Sequence, residues 1–196
     1  MADTSSRLDT VQKMYTKEFR RQVRFMRVAR NEDRLKNWRP IAITSVLGQT
    51  QLRDFGISNI ELITPTDTIE MNDTLPKWFR LGVNVGSVPV LNEGDSILIR
   101  VRLLSDNEKT EYVAVRHCVH HRFAYRYRER MGVIDSTYNA GKYERQYEKC
   151  FQVKLPPTIL IARYNAVVDV MSYDSLNDDA EPFMNMIIGF PYIVKK

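Results

Sequence analysis

The chain has 196 residues, enough for one domain with a substantial core, and its hydrophobic content of 43% is ordinary for a globular protein. Two cysteines, Cys118 and Cys150, exclude a disulfide framework, and the polar N-terminus lacks the apolar segment of a signal peptide. No run of 18 apolar residues is available for a membrane-spanning helix. We therefore expect a protein of a reducing, intracellular compartment.

The formal net charge of +5 is unevenly distributed along the chain. Residues 1–39 contain eleven Lys and Arg residues against five Asp and Glu residues, whereas the remainder is close to neutral. A basic segment on a neutral body favours contact with nucleic acid or with an anionic membrane, although a solvated helix face would have the same composition. We divide the chain into a basic arm, residues 1–39, and a single β domain, residues 40–196.

Residues 5–30 are predicted to form one amphipathic helix that begins near Ser6 and Asp9, which have the spacing of a capping box. Apolar and basic residues each recur at steps of three and four, which would give the helix two stripes. The apolar stripe is Leu8, Val11, Tyr15, Phe19, Val23 and Met26, and the basic stripe is Lys13, Lys17, Arg20, Arg24 and Arg27. The apolar stripe would pack on the body of the protein, on another subunit or on lipid. Pro40 marks the end of the helical region.

The following region is predicted to consist of strands. Residues 41–46 are either a strand or a loop, and residues 60–63 and 67–71 form short strands separated by Pro65. In the stretch 77–107, apolar residues at 97, 99, 101 and 103 alternate with Arg100 and Arg102, which is typical of a strand with one basic face. Residues 78–91 and 97–103 are expected to pair as a hairpin around a turn at residues 92–95.

The C-terminal half continues the β pattern. Residues 111–128 resemble one long strand with a bend near His120 and His121, and residues 131–149 resemble a mobile polar loop. Residues 150–155, 166–173 and 183–194 provide three closing strands. Seven or eight short strands after one helix predict a mainly β fold, an antiparallel, jelly-roll-like sandwich.

The histidines form the one metal-like cluster of the sequence, which comprises His117, Cys118, His120 and His121. On a strand His117 and His121 point away from Cys118 and His120, so at most two ligands meet unless Cys150 lies nearby. We therefore predict no metal and no other cofactor, and consider instead a pH-sensitive or anion-binding surface. The acidic residues Asp174, Asp178, Asp179 and Glu181 are interpreted as a polar turn. Because the sequence contains no recognisable catalytic motif, we expect neither enzymatic activity nor a small-molecule substrate.

Nucleic-acid binding is the sharper hypothesis. Three basic groups are available: the basic stripe of the predicted helix, the pair Arg100 and Arg102, and the strand face that carries Arg116, Arg122, Arg126 and Arg128. Phe123, Tyr125 and Tyr127 interleave with the last group and could stack on bases. Binding of this kind would be driven by phosphate contacts and tolerant of sequence. The alternative is that the aromatic residues are core and the arginines are ordinary sheet surface.

Leu81-Gly82-Val83, the alternation at residues 97–103 and Asp106 resemble the core of the thirty-kilodalton superfamily of plant-virus movement proteins. Residues 166–169 and 182–192 are similar to the closing strands of that family. The resemblance implies a jelly-roll-like fold, with Leu81 and Gly82 in the family motif and Asp106 as the family aspartate. It also implies cooperative, sequence-nonspecific binding of single-stranded nucleic acid and transport through plasmodesmata.

Residues 79–89 also resemble the opening strand of rhabdovirus matrix proteins. That resemblance implies a protein that links the nucleocapsid to the inner membrane leaflet through a basic N-terminus. A small icosahedral capsid protein, with residues 1–39 as an RNA-facing arm, is a third interpretation. We predict a non-enzymatic viral protein that forms homo-oligomers and binds single-stranded nucleic acid or ribonucleoprotein. It would act in the host cytoplasm, at a membrane or plasmodesma, or in the virion.

Overall fold

The computed structural model describes residues 12–28, 37–74, 76–81, 87–119 and 127–196. These residues form fifteen strands and one short helix. The strands are β1 (Lys17–Arg20), β2 (Val23–Arg27), β3 (Trp38–Thr44), β4 (Val46–Thr50), β5 (Phe55–Ile63), β6 (Thr68–Met71), β7 (Trp78–Arg80), β8 (Val90–Asn92), β9 (Ser96–Ser105), β10 (Tyr112–Val119), β11 (Tyr127–Arg130), β12 (Gly132–Asn139), β13 (Lys142–Gln152), β14 (Ile161–Met171) and β15 (Asn185–Lys195). Helix α1 (Tyr173–Asn177) begins after Ser172, whose hydroxyl accepts a hydrogen bond from the Ser175 N–H.

The strands form three sheets. A seven-stranded sheet has the order β1-β4-β15-β14-β10-β11, and β8 is added parallel to β15. A five-stranded sheet has the order β12-β13-β9-β5-β6, and a small sheet has the order β2-β3-β7. All pairings other than β8 with β15 are antiparallel. The prediction of a mainly β, antiparallel protein is therefore confirmed.

One buried apolar cluster takes side chains from both of the larger sheets. Period-two alternation explains this, because β9 buries every second residue while Arg100 and Arg102 stay on its other side. The fully buried members include Ile97, Ile99, Val101 and Leu103 of β9, Val168 and Val170 of β14, and Phe190, Tyr192 and Val194 of β15. Burial of each such side chain contributes about 1.5–3 kcal/mol to folding.

The prediction of a helix over residues 5–30 is wrong for the described residues 12–28, which contain β1 and β2. Long-range pairing decides the local structure here, because β1 pairs with β4 and β2 pairs with β3. Two residues of the predicted apolar stripe pack against other parts of the protein in this strand structure. Tyr15 contacts the Phe183 ring at 4.5 Å between centroids, and Phe19 lies opposite Gly48, whose missing side chain leaves room for the phenyl ring.

The predicted hairpin between residues 78–91 and 97–103 is also wrong. The turn at residues 92–95 is present, with Gly94 at φ +90° and a 3.1 Å hydrogen bond from the Asp95 N–H to the Asn92 carbonyl. However, β8 pairs with β15 and β9 pairs with β5 and β13. The turn therefore carries the chain from one sheet to another.

Two further predictions need correction. Residues 111–128 are not one strand, because the chain reverses and β11 returns antiparallel to β10. Residues 131–149 are not a loop but the hairpin of β12 and β13, which turns at Ala140 and Gly141, both at positive φ. The short strands around Pro65 and the closing strands near residues 166–173 and 183–194 are confirmed in position, whereas residues 150–155 are not a closing strand of their own, because β13 ends at Gln152.

Candidate nucleic-acid interface

The small sheet presents arginine and tryptophan side chains on one face. Arg24 of β2, Ala42 of β3 and Arg80 of β7 are direct neighbours across the three strands, so their side chains share a side of the sheet. The Arg24 guanidinium lies over the Trp78 ring, 4.9 Å from its centroid. Stacking of this kind holds a cation in a fixed position while its outer side remains available to a ligand.

Strands β2 and β3 expose large aromatic residues. Phe25 is 53% exposed and Trp38 is 58% exposed, and every residue of β2 is exposed. Arg27 lies opposite Trp38, and Arg39 lies opposite Met26. Exposed rings among arginines are the combination that single-stranded nucleic acids bind, since bases stack on rings while phosphates pair with cations.

The charge of this surface is only partly neutralised. Within the part of the chain that the structure describes, no carboxylate forms an ion pair with Arg24 or Arg39. Arg21, next to β2, donates to the Thr44 carbonyl at 3.2 Å, and burial lowers its pKa. The small sheet therefore combines positive charge and exposed aromatic surface.

A second basic group lies on the seven-stranded sheet around one buried carboxylate. Asp169, which is 2% exposed, accepts a 2.5 Å hydrogen bond from Arg116, while Arg128 lies 3.9 Å away. Asn185 donates to the other oxygen of Asp169 at 2.7 Å, and Lys17 donates to the Asn185 side-chain oxygen. We call Lys17, Arg116, Arg128 and Asp169 the Asp169 cluster; the two arginines share the carboxylate, and Lys17 is linked to it through Asn185.

The surroundings of the Asp169 cluster keep it partly dehydrated. Burial lowers the pKa of Lys17, while the Asp169 carboxylate opposes this shift and the Arg116 guanidinium adds to it. Arg128 and Arg130 both lie over the Tyr112 ring, at 5.3 and 5.2 Å from its centroid. The cluster thus forms an ordered cationic patch, with its cations held by a carboxylate and an aromatic ring.

The remaining predicted binding residues lie elsewhere. Arg100 pairs with Glu148 at 2.7 Å and Arg102 approaches Glu61 at 3.5 Å, so acidic partners compensate the arginine face of β9. Arg20 pairs with Glu18, and Lys13 donates to the Ser175 and Asp178 carbonyls. Arg122 and Arg126 lie outside the described residues.

The residues of the family motif are separated in the structure. The Leu81 N–H donates to the Ile41 carbonyl at 2.7 Å, next to the small sheet, and Gly82 lies outside the described residues. Asp106 follows β9, where its N–H donates to the Asp54 carbonyl and its carboxylate pairs with Lys142 at 3.1 Å. Asp106 is therefore placed at the end of the strand, with its side chain at the surface.

Sequence reasoning missed the aromatic partners of the basic stripe. Trp38 and Trp78 are far apart in the chain and become neighbours of β2 only through strand pairing. The available signal was compositional, because both tryptophans of the protein lie directly before arginine or one residue from it, as in Trp38-Arg39 and Trp78-Phe79-Arg80. An Arg–Trp recurrence of this kind favours a stacking surface.

The histidine cluster is only partly described. His117 and Cys118 are buried in β10, whereas His120 and His121 lie outside the described residues. Among the residues with described positions, no three His, Cys, Asp or Glu side chains come together as metal ligands. In the same residues, no helix is long and apolar enough to cross a membrane.

Comparison of the sequence with protein-family models and with curated proteins found no match. The two basic surfaces are the features of the described residues that point to a function.

Proposed function

We propose that this protein binds single-stranded nucleic acid without sequence specificity, and that the small sheet is its principal contact surface. The observation that best supports this proposal is that the Arg24 guanidinium lies over the Trp78 ring, on the same small sheet as the exposed rings of Phe25 and Trp38. Bases would stack on the rings and on the outer side of the guanidinium, and phosphates would pair with the arginines.

The wider role that we propose is cell-to-cell movement of a viral genome. The resemblance of Leu81, Gly82 and Asp106 to the movement-protein core supports this role, as does a shared core between two antiparallel sheets. We accordingly interpret the fold as a jelly-roll-like sandwich. Cooperative coating of a strand would require contacts between copies, so a homo-oligomer belongs to the same proposal. We propose no enzymatic activity and place the protein in the host cytoplasm, at plasmodesmata.

The direct test is binding of a fluorescent single-stranded RNA, measured by anisotropy. Replacement of Arg24 by Gln together with Trp38 by Ala should weaken binding by at least tenfold, because stacking alone is worth about 1–3 kcal/mol per base. The matched control is Arg102→Gln, which removes an arginine that faces Glu61 on the five-stranded sheet. Equal losses in both variants, or no binding by the unaltered protein at low salt, would overturn the proposal.

The matrix interpretation has one observation in its favour. Phe25, Met26 and Val28 are each about half exposed and stand beside arginines, a combination that also suits an anionic lipid surface. Anionic and neutral vesicles should therefore be compared with the same protein. Sedimentation with anionic vesicles that is lost on Phe25→Ser, while RNA binding is absent, would favour a membrane-coating matrix protein.

A further inference from the structure

The end of β10 is irregular at Cys118. The register between β10 and β14 shifts between Arg116 and Val119, and Cys118 has φ +53°, an uncommon value for a residue other than glycine. This bulge cancels the alternation that would place His117 and Cys118 on opposite faces. Both side chains are buried, at 3% and 1% exposure, and they are in contact with each other, so the expectation that they point apart is wrong.

The bulge brings the thiol within reach of the imidazole. The Cys118 Sγ lies 3.6 Å from His117 Nδ1, and His117 Nε2 lies 2.9 Å from Glu129 Oε1. The imidazole ring is stacked against Phe151, at 4.0 Å between centroids, and against Tyr127, at 5.1 Å. These contacts fix the ring in an orientation in which a neutral imidazole donates from Nε2 to Glu129 and accepts the thiol proton at Nδ1.

The remaining groups around the thiol and the imidazole are a tyrosine hydroxyl, a carboxylate and two lysines. The Tyr192 hydroxyl accepts from the Cys118 N–H at 2.9 Å and lies 3.7 Å from Sγ, where it can donate to sulfur. Burial lowers the pKa of His117, opposed by Glu129 and assisted by the charges of Lys149 and Lys154, so the imidazole is unprotonated at neutral pH. Glu129 itself pairs with Lys149 at 2.6 Å.

The thiol borders a small cleft. The cleft has a volume of about 110 Å³. Its walls are formed by Cys118, Tyr127, Lys154, Leu155, Pro156 and Tyr164. This space is enough for several water molecules, and therefore for a molecule of the size of hydrogen peroxide.

We propose that Cys118 is a peroxide-reactive thiol, with His117 as its base and Glu129 as the residue that positions His117. His117 Nδ1 takes the thiol proton, and the thiolate sulfur attacks one oxygen of hydrogen peroxide. The S–O bond forms while the O–O bond breaks, and the departing hydroxide takes the proton from the imidazolium and leaves as water. Sulfur is oxidised to a sulfenic acid and the peroxide is reduced.

Cys150 provides an internal control, because it is exposed and lies at the surface of β13. The folded protein is treated with hydrogen peroxide, the peroxide is removed, and the protein is unfolded in the presence of a dimedone probe, so that mass spectrometry reports the oxidation of each cysteine. At pH 7, His117→Gln should slow oxidation of Cys118 by about 100-fold or more while leaving Cys150 unchanged.

Glu129→Gln is a second variant, which tests the proposal if His117→Gln does not fold. This substitution keeps the size of the side chain and leaves His117 in place, and it should also lower the rate of Cys118 oxidation. Circular dichroism and an unchanged Cys150 rate establish that each variant is folded. A Cys118 that stays unoxidised when the folded protein is treated with peroxide, or one that is oxidised equally fast in all variants, would overturn the proposal.

Discussion

Replacement of Arg24 by Gln should reduce the salt dependence of RNA binding in a calculable way. Each phosphate neutralised on a single strand contributes about −0.7 to the slope of log K against log salt concentration. The small sheet offers at most four arginines for such contacts, Arg24, Arg27, Arg39 and Arg80. The slope of the unaltered protein should therefore be no steeper than about −2.8, and that of Arg24→Gln about −2.1.

The assay is fluorescence anisotropy with a labelled RNA at several potassium chloride concentrations. Arg102→Gln should leave the slope unchanged, because that arginine faces Glu61. A slope near −5.6 in the unaltered protein would mean that the three cations of the Asp169 cluster and Arg130 also contact phosphates. An unchanged slope in Arg24→Gln would refute the assignment of this arginine to a phosphate contact.

Two further predictions concern stability. Arg145→Met should lower the free energy of unfolding, measured by urea denaturation, by about 3–5 kcal/mol, because it leaves the Glu111 carboxylate buried without its cation. The double variant Arg145→Met with Glu111→Leu should lose less stability, because no buried charge is left unpaired. Equal losses in the single and double variants would contradict this reasoning. Stability should also fall as the pH drops through the ordinary histidine pKa of about 6.5, since the folded state holds His117 with a lowered pKa and the unfolded chain takes up the proton first. Thermal melts from pH 7.5 to pH 5.5 measure the effect, which His117→Phe should reduce; an identical pH dependence in that variant would exclude His117 as its source.

A strand whose buried positions are apolar could be predicted from the sequence. A strand with a charged residue at a buried position could not. β9 was visible because Ile97 to Leu103 alternate with arginines. β13 was hidden because Arg145 occupies one of its inward positions at 1% exposure, where it donates to Glu111 and to three loop carbonyls. A pattern based on hydropathy cannot recognise an inward position that is filled by an ion pair.

The error in the N-terminal region has a different cause. Tyr15, Phe19 and Val23 fit helical spacing, but Lys17 and Phe19 also fit the alternation of a strand, and the sequence does not show that β4 and β3 are available as partners. Arg24 and Arg27 of the candidate site belong to the predicted basic stripe, whereas Arg39, Arg80 and the aromatic neighbours Trp38 and Trp78 required the strand pairing. The reversal of alternation at Cys118 likewise depends on a backbone irregularity that composition does not indicate.

The two tryptophans of the protein, Trp38 and Trp78, both lie on the small sheet, so intrinsic tryptophan fluorescence reports on this surface alone. The most direct test of the proposed interface is therefore a titration with single-stranded oligonucleotide, in which fluorescence and anisotropy are followed together. If the small sheet is the interface, tryptophan emission should be quenched in parallel with binding, because bases stack on these rings. Binding seen by anisotropy with unchanged tryptophan emission would contradict it.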